Sequence, residues 1–354
     1  VNDLLHSPTA PLLRERRGST LWLTGANGPV NALSQPVRQG LLEGIVAGDA
    51  DPAVAAMILQ GAGRTFFAGA DLAELDQGLQ SPGLLEFVAA CEQTRKPVVA
   101  ALHGTVFGGG VVVACACDQR MAADDTRFAM PEVALGLLPT FGGTIVLPRL
   151  LGLEAALQLI IDGATWDAQR ALQAGLVDEL VPAQRLRAAA ADLADRRPPK
   201  RRLRDATVRR EEPSAAAAAF GRRRRALAAS APGFEAPQVC LDVMEAGLAL
   251  PMDEALRCEH AAFLRLLQSA QSRRLRRLFL AERRLRRGDF DRAAAAQRLR
   301  QAGPDPRQLR RVAHALLQEG AVPDADTLDA LLVASTAAPR HAPSLIEDLL
   351  TEPA

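Results

Sequence analysis

Short apolar runs alternate with longer stretches of helical periodicity through the first half of the chain. Leu21 to Thr24, Ala55 to Leu59, Val98 to Leu102 and Gln119 to Ala123 are bounded by turn-forming residues, the pattern expected of buried strands. Between them, Ser34 is a candidate N-cap with Pro36 in the first turn of a helix running towards Val46. Asp76 to Gly83 reads as a loop, and Leu84 to Thr94 as a helix closed by Lys96-Pro97. Gly142-Gly143 opens a helix that reaches Leu151, and Glu154 to Ile161 and Ala168 to Ala174 form two more, with turns at Gly163 and Gly175. Residues 1 to 18 carry Pro and Arg without periodicity and read as a loose lead-in. Strand and helix alternating in units this short predict an α/β fold.

Two sharp turns of small residues interrupt that pattern. The first, Ala68-Gly69-Ala70-Asp71, follows one strand candidate, and the second, Gly108-Gly109-Gly110, follows the next and runs into Val111 to Cys117. Three consecutive glycines are unfavourable in a helix and are easiest to understand where no Cβ fits. Amides at a helix start have no intrahelical partner, so two such turns aimed at one point would stabilise a developing anion. Between the second turn and Gly142, after Pro131, stands Glu132, a carboxylate set apart in an apolar stretch. Phe128, Val133 and Leu135 flank it with apolar surface that would raise its proton affinity towards that of a useful base; the plainer reading is a surface carboxylate. Asp71 and Glu74 suit the charge of a helix start, Asp118 reads as a structural cap, and His103 as a strand-end residue more than a base.

The segment from Gly61 to Thr144, with AGAD, HGTVFGGG, the PE pair and LGLLPTFGGT in order, resembles the crotonase superfamily, also called the enoyl-CoA hydratase/isomerase family. The resemblance runs from about Thr20 to Pro182. It implies a ββα spiral core and a thioester enolate held by two backbone amides, which map onto Ala70 and Gly109, with Glu132 as the acid/base. It also implies a substrate pocket formed by Ala32, Ala68, Gly69, Asp71, Leu72, Gly108, Val112, Pro131 and Phe141, with Ala32 near the CoA moiety. Family hydratases carry a second glutamate two residues after the GGG, where this chain has Val112. A valine neither accepts a hydrogen bond nor moves a proton, so the resemblance points to Δ3-Δ2-enoyl-CoA isomerisation by a single glutamate. An impaired hydratase and a non-catalytic acyl-CoA binder are the competing readings.

Beyond Pro182 the character changes, which divides the chain into a core at 1–190, an Arg/Ala-rich linker and helical region at 191–290, and a helical tail at 291–354. Lys200 to Arg204 and Arg222 to Arg225 are basic runs with few interleaved aromatics, so they read as solvated faces; nucleic-acid binding and contact with CoA phosphates are the alternatives. Ser269 to Arg283 resembles the helical linker of multifunctional β-oxidation enzymes. No GxGxxG follows a strand downstream, so a dehydrogenase half has no support. The tail from Leu309, including APRHAPS, is either the end of such a helical domain or an unrelated Ala/Leu-rich segment.

Composition narrows the rest. With 354 residues, 48% hydrophobic, the chain can bury a sizeable core, and a net charge of +1 provides no global field to recruit nucleic acid or membrane. The five cysteines lack ligand spacing, there is no tyrosine, and no run approaches a membrane span or signal core. Cys115 and Cys117 read as small buried apolar residues. The expectation is a cytoplasmic enzyme with an acyl-CoA substrate, no other cofactor, no metal, and the homotrimer or hexamer that the resemblance implies.

Overall fold

Nine strands form two sheets in the computed structural model, which describes residues 11–205, 212–287, 290–303, 305–335 and 340–341. They are β1 (Leu12–Arg17), β2 (Thr20–Gly25), β3 (Ala56–Gly61), β4 (Val98–Leu102), β5 (Thr105–Phe107), β6 (Gln119–Ala123), β7 (Arg127–Ala129), β8 (Trp166–Asp167) and β9 (Glu179–Val181). The larger sheet has the order β1-β2-β3-β4-β6-β9, parallel except for the antiparallel pair β1/β2. The smaller one is β5-β7-β8. The α/β expectation is met.

Central parallel strands are covered on both faces, which is why they read as unbroken apolar runs. Every residue of β4 is buried. On one face Ile58, Val99, Ala101 and Met121 pack with Leu186, Ala190 and Ala194 of the helix Leu186–Asp195. The opposite alternation puts Met57, Leu59, Val98, Ala100 and Leu102 in the core as well.

The expected loose lead-in is corrected in its second half: Leu12–Arg17 pairs in register with β2. LLRERR lacks apolar alternation because it is an edge strand, where charged side chains are tolerated and even protective. Arg14 there reaches Glu43 at 2.8 Å. Residues 1–10 of that expectation, and all of APRHAPS except Arg340 and His341, lie outside the described residues. The helix Leu72–Gln77 also takes in Asp76 and Gln77, which were expected in a loop.

The chain divides into two compact units. One takes in the described residues of Val1–Val133, Leu138–Arg223 and Val239–Leu264, and it contains both sheets. The other takes in Ala134–Leu137, Arg224–Gln238 and the described residues from Arg265 onward. Its helices Ala270–Arg287, Arg292–Ala302, Pro306–Gln318 and Ala325–Ser335 enclose a core that includes Leu278, Leu285, Leu299, Leu316 and Leu331. A buried Arg274–Asp329 pair at 3.1 Å sits within that unit.

Gly110 tests the packing of the sheet-bearing unit, because a Cβ there would overlap the main-chain carbonyl of Phe67. A carbonyl in a paired backbone cannot swing away as a side chain tip can. Gly110→Ala is therefore expected to lower stability by about 1–3 kcal/mol, read as a fall in the urea midpoint of the purified protein.

Candidate active site

Strands β3 and β4 are hydrogen-bonded neighbours running the same way, so their carboxyl ends emerge side by side. Each feeds one of the two small-residue turns, and in parallel sheets this is where ligand sites form. The chain leaving β3 is held by Asn31, whose buried side chain donates to the carbonyls of Ala62 at 2.8 Å and Thr65 at 2.9 Å. The Leu33 amide donates to Gly69 at 2.9 Å, and Phe107 donates to Phe67 at 3.1 Å, so Ala68 and Phe107 form a bridge between the turns.

Contact between the turns is as close as glycine allows. The position a Cβ would take at Gly108 lies 2.5 Å from Glu132 Oε1 and 3.6 Å from Cα of Gly69. At Gly109 it would lie 3.0 Å from a methyl of Leu33 and 3.1 Å from one of Leu84. Gly108 also has a φ of 54°, a left-handed conformation that favours glycine. Among the described residues, neither the Ala70 amide nor the Gly109 amide is taken by a protein acceptor. Ala70 is exposed, and Gly69 and Gly108 are buried.

The Gly108 amide donates to Ala129 at 2.9 Å, which ties the second turn to the end of β7, and Glu132 follows after Met130 and Pro131. Although Glu132 as a residue is only half-buried, its Oε2 is sealed from solvent and has no hydrogen-bond partner. Burial pushes the Glu132 carboxyl up to about 7, and the charge of Glu259 adds to the rise, against the pull of its own amide.

Glu259 was not anticipated. It lies on the helix Met252–Leu267, is 1% exposed, and accepts from the Gly142 amide at 2.7 Å, the Thr144 amide at 2.9 Å and the Thr144 hydroxyl at 2.5 Å. Burial pushes it up to about 7 despite those donors. The available signal was its register: Ala255, Glu259 and Phe263 share one helix face, and all are buried, so the acid occupies an apolar stripe. Phe141, next in the turn that Glu259 holds, has a φ of 59°, which a bulky residue adopts only when its surroundings enforce it.

The other expected site residues have varied surroundings. Val112 is buried on the helix Gly109–Ala116, its Cγ2 3.8 Å from the Cβ position of Gly143. Phe141 abuts Gly83, 3.2 Å from that residue's Cβ position. Asp71 caps Leu72–Gln77 by accepting from Ala73 at 3.0 Å, and Leu72 and Pro131 are half-buried. Ala32 is half-buried, and its carbonyl accepts from Asn27 at 2.9 Å. Glu74 does more than charge a helix start: Arg38 grips it at 2.5 Å, joining two helices. Asp118 accepts from the Val98 amide and pairs with Lys200 at 2.8 Å. Lys200, Arg201 and Arg202 of the first basic run line a 690 Å³ cleft together with Glu92, Thr94 and Arg149. No group of three or more metal-ligating side chains occurs among the described residues.

A family model described as enoyl-CoA hydratase/isomerase matches residues 21–217. The chain belongs to the enoyl-CoA hydratase/isomerase family. This family member is 35% identical over 273 residues to a peroxisomal bifunctional enzyme of Danio rerio, covering 75% of this chain and 37% of that relative. It is 37% identical over 188 residues to a probable enoyl-CoA hydratase of Bacillus subtilis, covering 50% and 73% respectively. A crystal structure of an enoyl-CoA hydratase/isomerase from Pseudoalteromonas atlantica shares the fold, with a TM-score of 0.58 at 22% identity, over 77% of this chain and 97% of the other. The chain thus spans little more than a third of the bifunctional relative's length. Among the described residues, no helix of this family member is long and apolar enough to cross a membrane.

The raised Glu132 makes a stability prediction with a definite sign. A carboxyl whose folded affinity for protons exceeds its unfolded one contributes fully at low pH and loses that contribution as pH rises through about 7. Glu132→Gln does not titrate, so at pH 8 it is expected to be more stable than wild type by about 1–3 kcal/mol. The gap should close towards the ordinary carboxylate range, as measured by denaturant unfolding across pH.

Proposed function

We propose that this family member isomerises 3-enoyl-CoA thioesters to 2-enoyl-CoA thioesters with Glu132 as the sole proton carrier. The observation that carries the reading is the meeting of Gly69, Gly108 and the Glu132 carboxyl, whose Oε2 has no partner, at one point, with Val112 where a second acid would serve hydration. Ionised Glu132 takes a proton from C2 of the substrate, and the electron pair of the broken C–H bond moves through the thioester carbonyl to its oxygen. The amides of Ala70 and Gly109 donate to that oxygen; donors of this kind are each worth about 10²–10³ in rate elsewhere. Protonated Glu132 then returns its proton to C4 of the dienolate, which leaves the double bond between C2 and C3. Proton and charge balance within the pair, so the chemistry needs no cofactor besides the CoA of the substrate. The odd count of cysteines, four of them buried, suits action in a reducing compartment such as the cytoplasm.

Hydration is the second reading, and Glu259 is what favours it. That side chain adds a second buried carboxylate whose charge reaches Glu132, although its oxygens are occupied by Gly142 and Thr144.

Purified protein incubated separately with 3-enoyl-CoA and 2-enoyl-CoA distinguishes the two. Isomerisation is expected to dominate, with kcat/KM rising to a plateau through pH about 7 because the ionised form of Glu132 is the base. Glu132→Gln should lower it by about 10²–10⁴. Faster water addition to the 2-enoyl substrate would replace the isomerase reading with hydration.

A further inference from the structure

The charge of Glu259 acts on Glu132, and both carboxyls act on the buried thiol of Cys240. Among the described residues neither Glu132 nor Glu259 pairs with Lys, Arg or His. The groups around the pair are few. Helix Glu235–Ala249 contributes Cys240, a fully buried thiol raised by its burial and by both carboxylates. Helix Gly143–Leu151 contributes the amides and hydroxyl already described, helix Gly109–Ala116 contributes Val112, and helix Met252–Leu267 contributes apolar Ala255 and Phe263.

The two acids are not equivalent. Glu259 has three donors on its two oxygens, a set that favours an ionised carboxylate. Glu132 Oε2 has none. Burial raises both carboxyls, and the donors on Glu259 favour its ionised form, so the first charge of the pair falls on Glu259. The same three donors belong to the turn that carries Phe141 in its left-handed conformation, so Glu259 also holds that turn in place.

We propose that Glu259 is a positioning residue for the Glu132 reaction: it clamps the Gly142–Thr144 backbone that carries Phe141, and it supplies the fixed negative charge against which Glu132 exchanges its proton. The proposal rests on the reading of Glu132 as the base. Gln at position 259 keeps one acceptor oxygen for the turn but has no charge, whereas Ala removes both functions, so comparing the two variants separates the roles.

The test follows the carboxyl groups directly and does not depend on turnover. Protein carrying ¹³C-carboxyl glutamate is titrated by NMR, with the Glu132 signal assigned by its loss in Glu132→Gln. In wild type, Glu259 is expected to ionise before Glu132. In Glu259→Gln the Glu132 midpoint should fall by about half to one pH unit, a three- to tenfold rise in its ionised-to-protonated ratio. The rising limb of kcat/KM should move down in pH by the same amount, with KM changed by no more than about twofold, while Glu259→Ala should raise KM as well. An unmoved Glu132 midpoint in folded Glu259→Gln overturns the proposal. If that variant does not fold, wild type alone decides: a Glu259 that stays protonated while Glu132 titrates overturns it equally. Absence of turnover on every enoyl-CoA would instead remove the isomerase reading and leave the carboxyl titration interpretable.

Discussion

Everything at the site depends on two stretches of backbone approaching closer than any side chain permits. A Cβ at Gly108 would collide with Glu132, and one at Gly110 with the Phe67 carbonyl. The approach is an outcome of topology before it is an outcome of sequence. Parallel neighbours β3 and β4 release their chains at the same edge, and the Ala68–Phe107 bridge then extends the sheet's hydrogen bonding into the loops. Glycine is required where that extension forces main chain against main chain. The conformational entropy it costs is offset by burial of the strands that feed it.

The same closeness creates the electrostatic situation. Sealing a carboxyl oxygen without a donor is expensive for the ionised form, so the proton stays on to higher pH than in water. A carboxylate with three donors nearby solves the opposite problem, since its charge is shared with an amide-rich helix start. One acid thus has an oxygen with no donor and the other has three donors, and among the described residues neither has an arginine or lysine in contact. The buried Arg274–Asp329 pair in the helical unit shows the alternative solution, in which a cation neutralises the acid.

Much of this was legible in the residues. Val98–Leu102 and Gln119–Ala123 coincide with β4 and β6, because strands covered on both faces leave an unbroken apolar signature. The glycine triplet announced a place where no Cβ fits, and three different obstacles meet it. Leu12–Arg17 was missed because an edge strand needs only a partner's free hydrogen bonds, which leave no periodicity behind. Glu259 was missed for a different reason. Its only local mark is an acid on an apolar helix stripe, and the turn it completes is 117 residues away. The basic run after Pro198 was taken as a solvated face, whereas Lys200 and Arg201 anchor Asp118 and Asp178, acids that strand periodicity does not single out.

The placement of Glu259 has a bearing on how the protein is made. The stretch that matches the family ends at residue 217, so every strand and both turns can emerge from the ribosome while the helix Met252–Leu267 is still being synthesised. During that interval the Gly142 and Thr144 amides, which follow Phe141 in the turn, have no carboxylate to receive them. Completion of this turn is therefore a late event in biosynthesis, and gene fragments cut at the family boundary would encode a nascent-like form lacking Glu259.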